Sequence, residues 1–378
     1  MNLFLITFFL IYGGVHCYAF VKARQALSFG LLPGVLLAFF LLCMVLAPVL
    51  VRVAEHRGFE ALARFLAYVG YCWMAILFFF FLTSLACDLY RLMLHLGGWI
   101  TGTTLARFLP SQLALFMGSL IFAVAAAGYG YFEARNIRTE RVVVKSPKLP
   151  QGENLTIAQL SDVHVGLIVR EKRLRLMAAA VRGARPDIIV STGDLVDGQL
   201  DGITPLATVL RELRPSHGMF AVTGNHEHYA GLPAALAFTE ACGFRVLRGN
   251  SVEINDWLMI AGVDDPAGGG WRRGMRPPQE EQLMASLDPK RFNLFLKHRP
   301  TVSEASLGRF DMQLSGHVHK GQLFPFNLLT YLFYPVRTGL NSLSENARLY
   351  VSRGTGTWGP PIRFLAPPEV TIIKVVSE

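Results

Sequence analysis

Leu155-Thr156-Ile157-Ala158-Gln159-Leu160-Ser161-Asp162-Val163-His164 decides how the second part of this 378-residue chain is read. Its apolar positions make a short run of the kind a buried β-strand needs, and the run ends in a carboxylate and an imidazole. The same event recurs downstream. Gly193-Asp194 follows an apolar run at 187–190, Gly224-Asn225-His226-Glu227 follows 219–222, and His298 follows 292–296. Gly316-His317-Val318-His319 follows 311–314, and Asp264-Asp265, after Ile260, is a further candidate ending. Oxygen and imidazole ligands at several strand ends suit a divalent metal pair, and no cysteine takes part. The pattern points to a metal-dependent hydrolase.

Working outward, the rest of the domain alternates strand and helix. Strands are expected at 155–160, 187–190 and 219–222, with helices at 171–184, 204–213 and 233–242, the last opening on Pro233 where a first-turn proline is tolerated. A strand-rich half follows, at 257–263, 292–296, 311–314, 347–352 and 370–375. Alternation followed by strands implies an α/β layered fold of two packed sheets with helices outside. Ligands of open α/β sheets gather at the carboxyl ends of the strands, where these endings stand.

The first third has a different composition. Hydrophobic residues make up 52% of the chain and mean hydropathy is +0.37; the apolar excess lies before residue 133. Apolar stretches at 2–21, 26–51, 65–87 and 113–132 are each about as long as a helix needs to cross a ~30 Å hydrocarbon core. The expected organisation is a four-helix transmembrane region over 1–132, a linker with a first strand over 133–152, and the catalytic domain over 153–378. The first stretch lacks a basic start and a small-residue cleavage pattern before Lys22, so it is read as a span rather than a signal peptide.

An even number of spans places the amino terminus and the catalytic domain on one side. Arg52, Arg57, Arg64, Arg135, Arg138 and Arg141 lie on that side, against Lys22, Arg24, Arg91 and Arg107 on the other. The positive-inside rule then favours a multi-pass protein of the cell membrane with a cytoplasmic catalytic domain. Asp88, Arg91 and His95 follow the third stretch at helical spacing and are read as marking a helix end at the headgroups rather than an ion pathway. The five cysteines are scattered, without a CxxC pair or a disulfide framework. Charge is +9 overall, spread rather than clustered, which favours attraction to anionic lipid headgroups over a nucleic-acid partner.

Taken together, the blocks Asp162-Val163-His164, Gly193-Asp194, Gly224-Asn225-His226-Glu227, Leu296-Lys297-His298-Arg299-Pro300 and Gly316-His317-Val318-His319 resemble, in order and residue type, those of the calcineurin-like metallophosphoesterase family. The tail, Leu349-Tyr350-Val351-Ser352-Arg353-Gly354 and Pro360-Pro361-Ile362-Arg363-Phe364, then Ala366-Pro367-Pro368-Glu369, looks like its bacterial membrane-anchored branch. The resemblance covers roughly three-fifths of the chain, from Leu155 onward, and implies a calcineurin-like two-sheet sandwich flanked by helices. It puts Asp162, His164 and His319 on one metal ion and Asn225, His298 and His317 on the other, with Asp194 as the bridge. The expected cofactors are two divalent transition metal ions, manganese, iron or zinc. They serve in-line displacement at phosphorus by activated water. His226 is implied as the residue that protonates the leaving group, with Asp194 at the centre of the catalytic set. Glu227 and Asp197 are expected to hold imidazoles through hydrogen bonds.

Each block has a plainer reading when taken alone. Asp162 or Asp194 could cap a helix, and Gly193, Gly224 and Gly316 could be turn glycines; in order and together they point to a metal site. His228 could join that site or lie at the surface, whereas His16, His56, His95 and His217 read as structural. A transporter or channel carrying a regulatory phosphoesterase-like domain would need polar residues within the spans, which are nearly absent. A noncatalytic docking module would be expected to lack a ligand, and none is missing.

Two segments bear on substrate. The run 323–335, Leu-Phe-Pro-Phe-Asn-Leu-Leu-Thr-Tyr-Leu-Phe-Tyr-Pro, either dips into a lipid interface and accepts an acyl chain or packs in the core. The Gly268–Arg276 stretch carries Arg272 and Arg273, which could meet a phosphate. With the spans, they favour a phosphodiester, phosphomonoester or pyrophosphate on a phospholipid or lipid-linked substrate. The branch resembled includes lipid-linked pyrophosphohydrolases such as the UDP-diacylglucosamine hydrolases.

Overall fold

Long uninterrupted apolar stretches can satisfy their backbone polar groups within a single helix, and the first third of the chain does so four times. A computed structural model describes residues 2–105, 108–198, 200, 202–269 and 278–378. The chain divides into one unit of Met1–Phe132 with Gly359–Ile362 and a second of Glu133–Trp358 with Arg363–Glu378. The first unit contains α1 (Asn2–Leu27), α2 (Leu31–His56), α3 (Glu60–Thr101) and α4 (Gln112–Glu133). All four are long and apolar enough to cross a membrane. Ala63, Ala67 and Ala75 of α3 are fully buried, small residues that let helix backbones approach closely.

The third helix differs from expectation. It does not end at residue 87 but runs 42 residues to Thr101, where Gly102 caps it in the left-handed conformation. At 1.5 Å per residue that is about 63 Å, twice the ~30 Å of a hydrocarbon core. Hydropathy marks where lipid-compatible composition stops, whereas Arg91-Leu92-Met93-Leu94 goes on favouring helix. Asp88 does not mark a helix end; it accepts a hydrogen bond from the Tyr18 hydroxyl at 2.7 Å and pairs with Lys22, tying α3 to α1. His16 accepts from Trp73 Nε1 at 3.0 Å and is buried, in line with a structural role.

In the second unit the order is β1 (Arg138–Ser146), β2 (Asn154–Leu160), α5 (Glu171–Ala184), β3 (Ile188–Ser191), α6 (Ala207–Arg211), β4 (Met219–Ala221), α7 (Asn225–Ala230), α8 (Leu232–Ala241) and β5 (Arg245–Val246). There follow β6 (Asn250–Asn255), β7 (Leu258–Gly262), α9 (Pro278–Ser286), β8 (Phe292–Leu296), β9 (Met312–Ser315), α10 (Phe326–Phe333), β10 (Gly339–Ser342), β11 (Arg348–Val351) and β12 (Glu369–Ser377). They form two six-stranded sheets, ordered β1-β12-β2-β3-β4-β5 and β10-β11-β9-β8-β7-β6. Strands β2 to β5 are mutually parallel, as are β7, β8, β9 and β11. Their carboxyl ends therefore lie along one edge of each sheet.

Alternation along the strands builds the layers. Leu155 and Ile157 of β2 join Ile188, Val190 and Phe220 in a core shared with Leu258, Ile260, Leu294 and Leu314 of the other sheet. Ala158 and Leu160 turn the opposite way, onto Leu174 and Met177 of α5 and Leu210 of α6. The outer face of the second sheet is covered in part by Leu283 and Met284 of α9. This is the α/β two-sheet sandwich flanked by helices that the sequence implies. The helix expected over 204–213 is a short 3-10 turn, Thr204–Leu206, followed by the five residues of α6. Strands β5, β6 and β10 were not anticipated, being short, polar edges with a weak alternating signal.

Candidate metal centre

Every candidate ligand lies two to five residues past the end of its strand. Asp162 and His164 follow β2, Asp194 follows β3, Asn225 and His226 open α7 after β4, His298 follows β8, and His317 and His319 follow β9. Side chains must turn sharply inward so soon after an extended backbone, and the chain achieves this by left-handed conformations. Asp162, His164, Asp194, His317 and His319 all have positive φ, between 48° and 72°. Non-glycine residues hold such angles at a cost, and persist there only where the surroundings fix them.

The surroundings are specific. The Asp162 carboxylate accepts from the His317 N–H at 3.0 and 3.1 Å and from the Ser161 hydroxyl at 2.5 Å. Ser161 in turn accepts from Thr192, and Thr192 from Gln159. His298 donates from Nδ1 to the Thr192 carbonyl at 2.8 Å, which directs Nε2 at Asn225 Oδ1, 3.2 Å away, and at Asp194 Oδ2, 3.3 Å away. At Gly316, a Cβ would collide with the Ser161 hydroxyl and the Asp162 carboxylate; at Gly193, it would lie 2.6 Å from His298 Nδ1. Both glycines are demanded by close approach, which is more than a turn requires.

Three groups of donor atoms result, Asp162 with His164 and His319, His164 with Asp194 and His226, and Asp194 with His298 and His317, each within 4.8 Å and all buried but for the half-buried His317. His164 Nε2 stands 3.1 Å from His319 Nε2, with Asp162 Oδ1 3.3 Å from the latter. His317 Nδ1 lies 3.1 Å from His298 Nε2. Asp194 Oδ2 sits between the two sets, 3.9 Å from His164 Nε2 and 3.3 Å from His298 Nε2. Lone pairs so crowded, away from water, need a positive centre among them, and the donor chemistry fits divalent transition metal.

The electrostatics agree. Burial opposes ionisation of Asp194, yet His298, His226 and His164 hold its carboxyl well below the usual range. Burial, reinforced by His298, pushes His317 down to about 3; burial and the Arg363 guanidinium push His319 well below normal. Both imidazoles are therefore neutral, the form that ligates. His298 goes the other way: Asp194 outweighs burial and raises it to about 10, so a cation binding there releases a proton. His226, despite burial, is raised to about 9 by Asp194 and Asp197. Its Nδ1 donates to the Asp197 carbonyl at 2.6 Å.

Asp197 does hold imidazoles, its Oδ1 lying 3.3 Å from His164 Nδ1 and 3.4 Å from His226 Nδ1. The first is a close approach without an aligned hydrogen bond. Glu227 does not. Its carboxylate accepts from the backbone N–H groups of Gly224, Asp194 and Leu195, at 2.6, 3.0 and 2.8 Å, and so clamps the loops after β3 and β4 together. Asp264 and Asp265 stay outside the cluster, Asp264 accepting from Arg248 Nε and Asp265 held by Arg299 in a bidentate pair. His228 belongs to none of the three groups. Arg272 and Arg273 lie outside the described residues.

Four neighbours were not foreseen. Arg363 is fully buried with Nη2 3.1 Å from His319 Nδ1, and the Tyr334 ring lies 5.1 Å from that of His317. The rings of Tyr229 and Trp358 lie 5.4 and 5.9 Å from His226. Tyr229 follows His226 by three residues on a helix, a signal the sequence did carry; Trp358 is distant in sequence and carried none.

Known proteins resemble this chain in sequence. Residues 155–321 match the family model of calcineurin-like phosphoesterases. An uncharacterised metallophosphoesterase of Aquifex aeolicus is 40% identical over 259 residues, 68% of this chain and 98% of that protein. Another from Campylobacter jejuni is 32% identical over 320 residues, covering 84% and 81%. In Danio rerio, a transmembrane protein with metallophosphoesterase domain is 30% identical over 291 residues, covering 72% and 67%. The chain belongs to the calcineurin-like metallophosphoesterase family. It is a phosphoesterase hydrolase that uses divalent metal, preceded by four candidate membrane-spanning helices.

Proposed function

We propose that this protein hydrolyses a phosphodiester, phosphomonoester or pyrophosphate bond of a lipid or lipid-linked substrate at the membrane. The observation that carries the hydrolytic part is the placement of the Asp194 carboxylate between His164 and His298, where it can face two cations at once. Asp162, His164 and His319 would hold one, and Asn225, His298 and His317 the other; manganese, iron or zinc suits these donors. When bound, the pair supplies activated water and neutralises charge at phosphorus. The protein supplies the proton. As the P–O bond breaks, water's oxygen goes to phosphorus, His226 gives its Nε2 proton to the departing oxygen, and the proton that water gives up restores His226. Asp194 and Asp197 favour its proton-bearing form, and the Asp197 carbonyl fixes its orientation through Nδ1.

The lipid part is supported by α10. Its eight residues bury none of their side chains, and Leu332 and Phe333 are 76% and 73% exposed. The run therefore does not pack in the core. Exposed apolar surface of this kind marks a site of interaction, and Tyr334, the next residue, touches His317. An acyl chain lying on α10 would bring its phosphoryl group to the metal centre. The arginines flanking the helices favour a catalytic domain on the cytoplasmic side of the cell membrane.

Hydrolysis of bis-p-nitrophenyl phosphate with added manganese tests the chemistry, comparing wild type with Asp194→Asn and His226→Ala. Loss in both variants, with folding and membrane association retained, is expected; equal rates in all three would remove the enzyme reading. For the substrate, mass spectrometry of lipids from a deletion strain should show one phosphorylated species accumulating. An unchanged profile would count against a lipid.

A further inference from the structure

Tyr229 and Trp358 stand beside His226 without serving the ligand set or the core. Tyr229 lies on α7 and Trp358 on a segment arriving from after β11, yet each presents its ring edge-on to the same imidazole, at interplanar angles of 62° and 78°. They are 60% and 55% exposed, although an aromatic ring normally gains from being covered. Trp358 is also held. Its N–H donates to Gln322 Oε1 at 3.0 Å and its carbonyl accepts from Gln322 Nε2 at 2.8 Å. Gln322 is itself buried and follows directly on the turn that carries His319. A fixed backbone with an open ring is a surface prepared for a contact that the described residues do not supply.

We infer that Tyr229 and Trp358 form an aromatic clamp for the group that leaves phosphorus, selecting leaving groups that carry a stackable ring over small open-chain alcohols. The inference rests on the reading of His226 as the proton donor to the leaving oxygen, because rings packed on that imidazole flank the same side of phosphorus. The reacting bond is unchanged: P–O breaks, the proton passes from His226 to the departing oxygen, water's oxygen joins phosphorus, and the proton that water gives up restores His226. Neither ring carries charge, so the clamp contributes binding rather than chemistry. A nucleobase and a sugar both offer a suitable face.

The test uses the full chain in detergent, loaded with manganese, with bis-p-nitrophenyl phosphate as reporter. AMP, glucose 1-phosphate and glycerol 3-phosphate, which share a phosphomonoester and differ in the ring, serve as competing ligands against wild type, Tyr229→Ala, Trp358→Ala and Trp358→Phe. Each alanine variant should raise the inhibition constant of AMP about tenfold, about 1.4 kcal/mol, within the range of ~1–3 kcal/mol for one stacked base. Glycerol 3-phosphate should keep its constant, and Trp358→Phe should recover most of the AMP affinity. The reporter's KM should rise while its kcat stays within about threefold. A parallel shift for glucose 1-phosphate widens the clamp to sugars, and its absence narrows the clamp to nucleobases. Equal shifts for all three ligands, or none, would overturn it. Quenching of tryptophan fluorescence by AMP, expected in wild type and lost in Trp358→Phe, reads the clamp without turnover; an unaltered quench in Trp358→Phe counts against it. Absence of manganese-dependent turnover in wild type would instead refute the hydrolase reading alone.

Discussion

The metal centre and α10 break the ordinary rule of burial in opposite directions. At the centre, Asp162, His164, Asp194 and His298 are all but closed to solvent, polar groups that burial alone would disfavour. On α10, Leu328, Leu332 and Phe333 face outward, apolar groups that folding alone would cover. In the first case the cost is offset by a dense hydrogen-bond frame and, when loaded, by cations. In the second, nothing within the described residues of the domain offsets it. The contrast teaches that buried polar groups are held in the first region by partners within the domain, whereas the exposed apolar groups of the second have none among the described residues of the domain.

The centre should break first. Gly316→Ala places a methyl group against Ser161 and Asp162, and is expected to abolish manganese retention, measured by elemental analysis. Turnover should fall by more than about a thousandfold, roughly 4 kcal/mol of transition-state stabilisation, with an unchanged far-UV circular dichroism spectrum. Retained metal would show that the loop can yield. Glu227→Gln comes next. Halving the charge-assisted bonds to Gly224, Asp194 and Leu195 should cost about 10- to 100-fold in activity, as outer-layer positions do, and lower the melting temperature. If activity stays level, the clamp between the two loops is not limiting.

The exposed region should break differently. Leu332→Ser with Phe333→Ser is expected to lower, about tenfold, the ratio of turnover on phospholipid vesicles to turnover on a soluble diester, given about 1.5–3 kcal/mol for each large apolar side chain removed from water. A ratio that does not move would turn α10 from a lipid surface into an incidental one. The smallest effect belongs to Asp264→Asn. Its carboxylate serves Arg248 and Thr223 rather than the cluster, so activity on the soluble diester should stay within about twofold. A large loss would mean that the strand end after β7 reaches the metals after all.

Sequence reading reached furthest where chemistry and local pattern coincide. The apolar runs of β2, β3, β4, β8 and β9 each end in a ligand-type residue, so the strands and the candidate donors were legible together. The span-forming stretches were legible because hydropathy over about 20 residues is a local property. Reading fell short where the deciding partner is remote. Glu227 looks like a support for imidazoles until the loop carrying Asp194 comes within reach of its carboxylate, and Asp264 looks like a ligand until Arg248 claims it. Helix α3 outran its apolar stretch because helix propensity and lipid compatibility are separate properties.

The order of residues alone determined the α/β class of fold and the apolar character of the first part, and it offered the candidate metal-seeking side chains, since each follows from periodicity or composition within a short window. Only the folded chain decided that Glu227 clamps two loops rather than an imidazole, that Arg363 is buried against His319, and that Tyr229 and Trp358 meet at one imidazole. Those relations join residues far apart along the chain, and they exist because parallel strands deliver their carboxyl ends to a common edge.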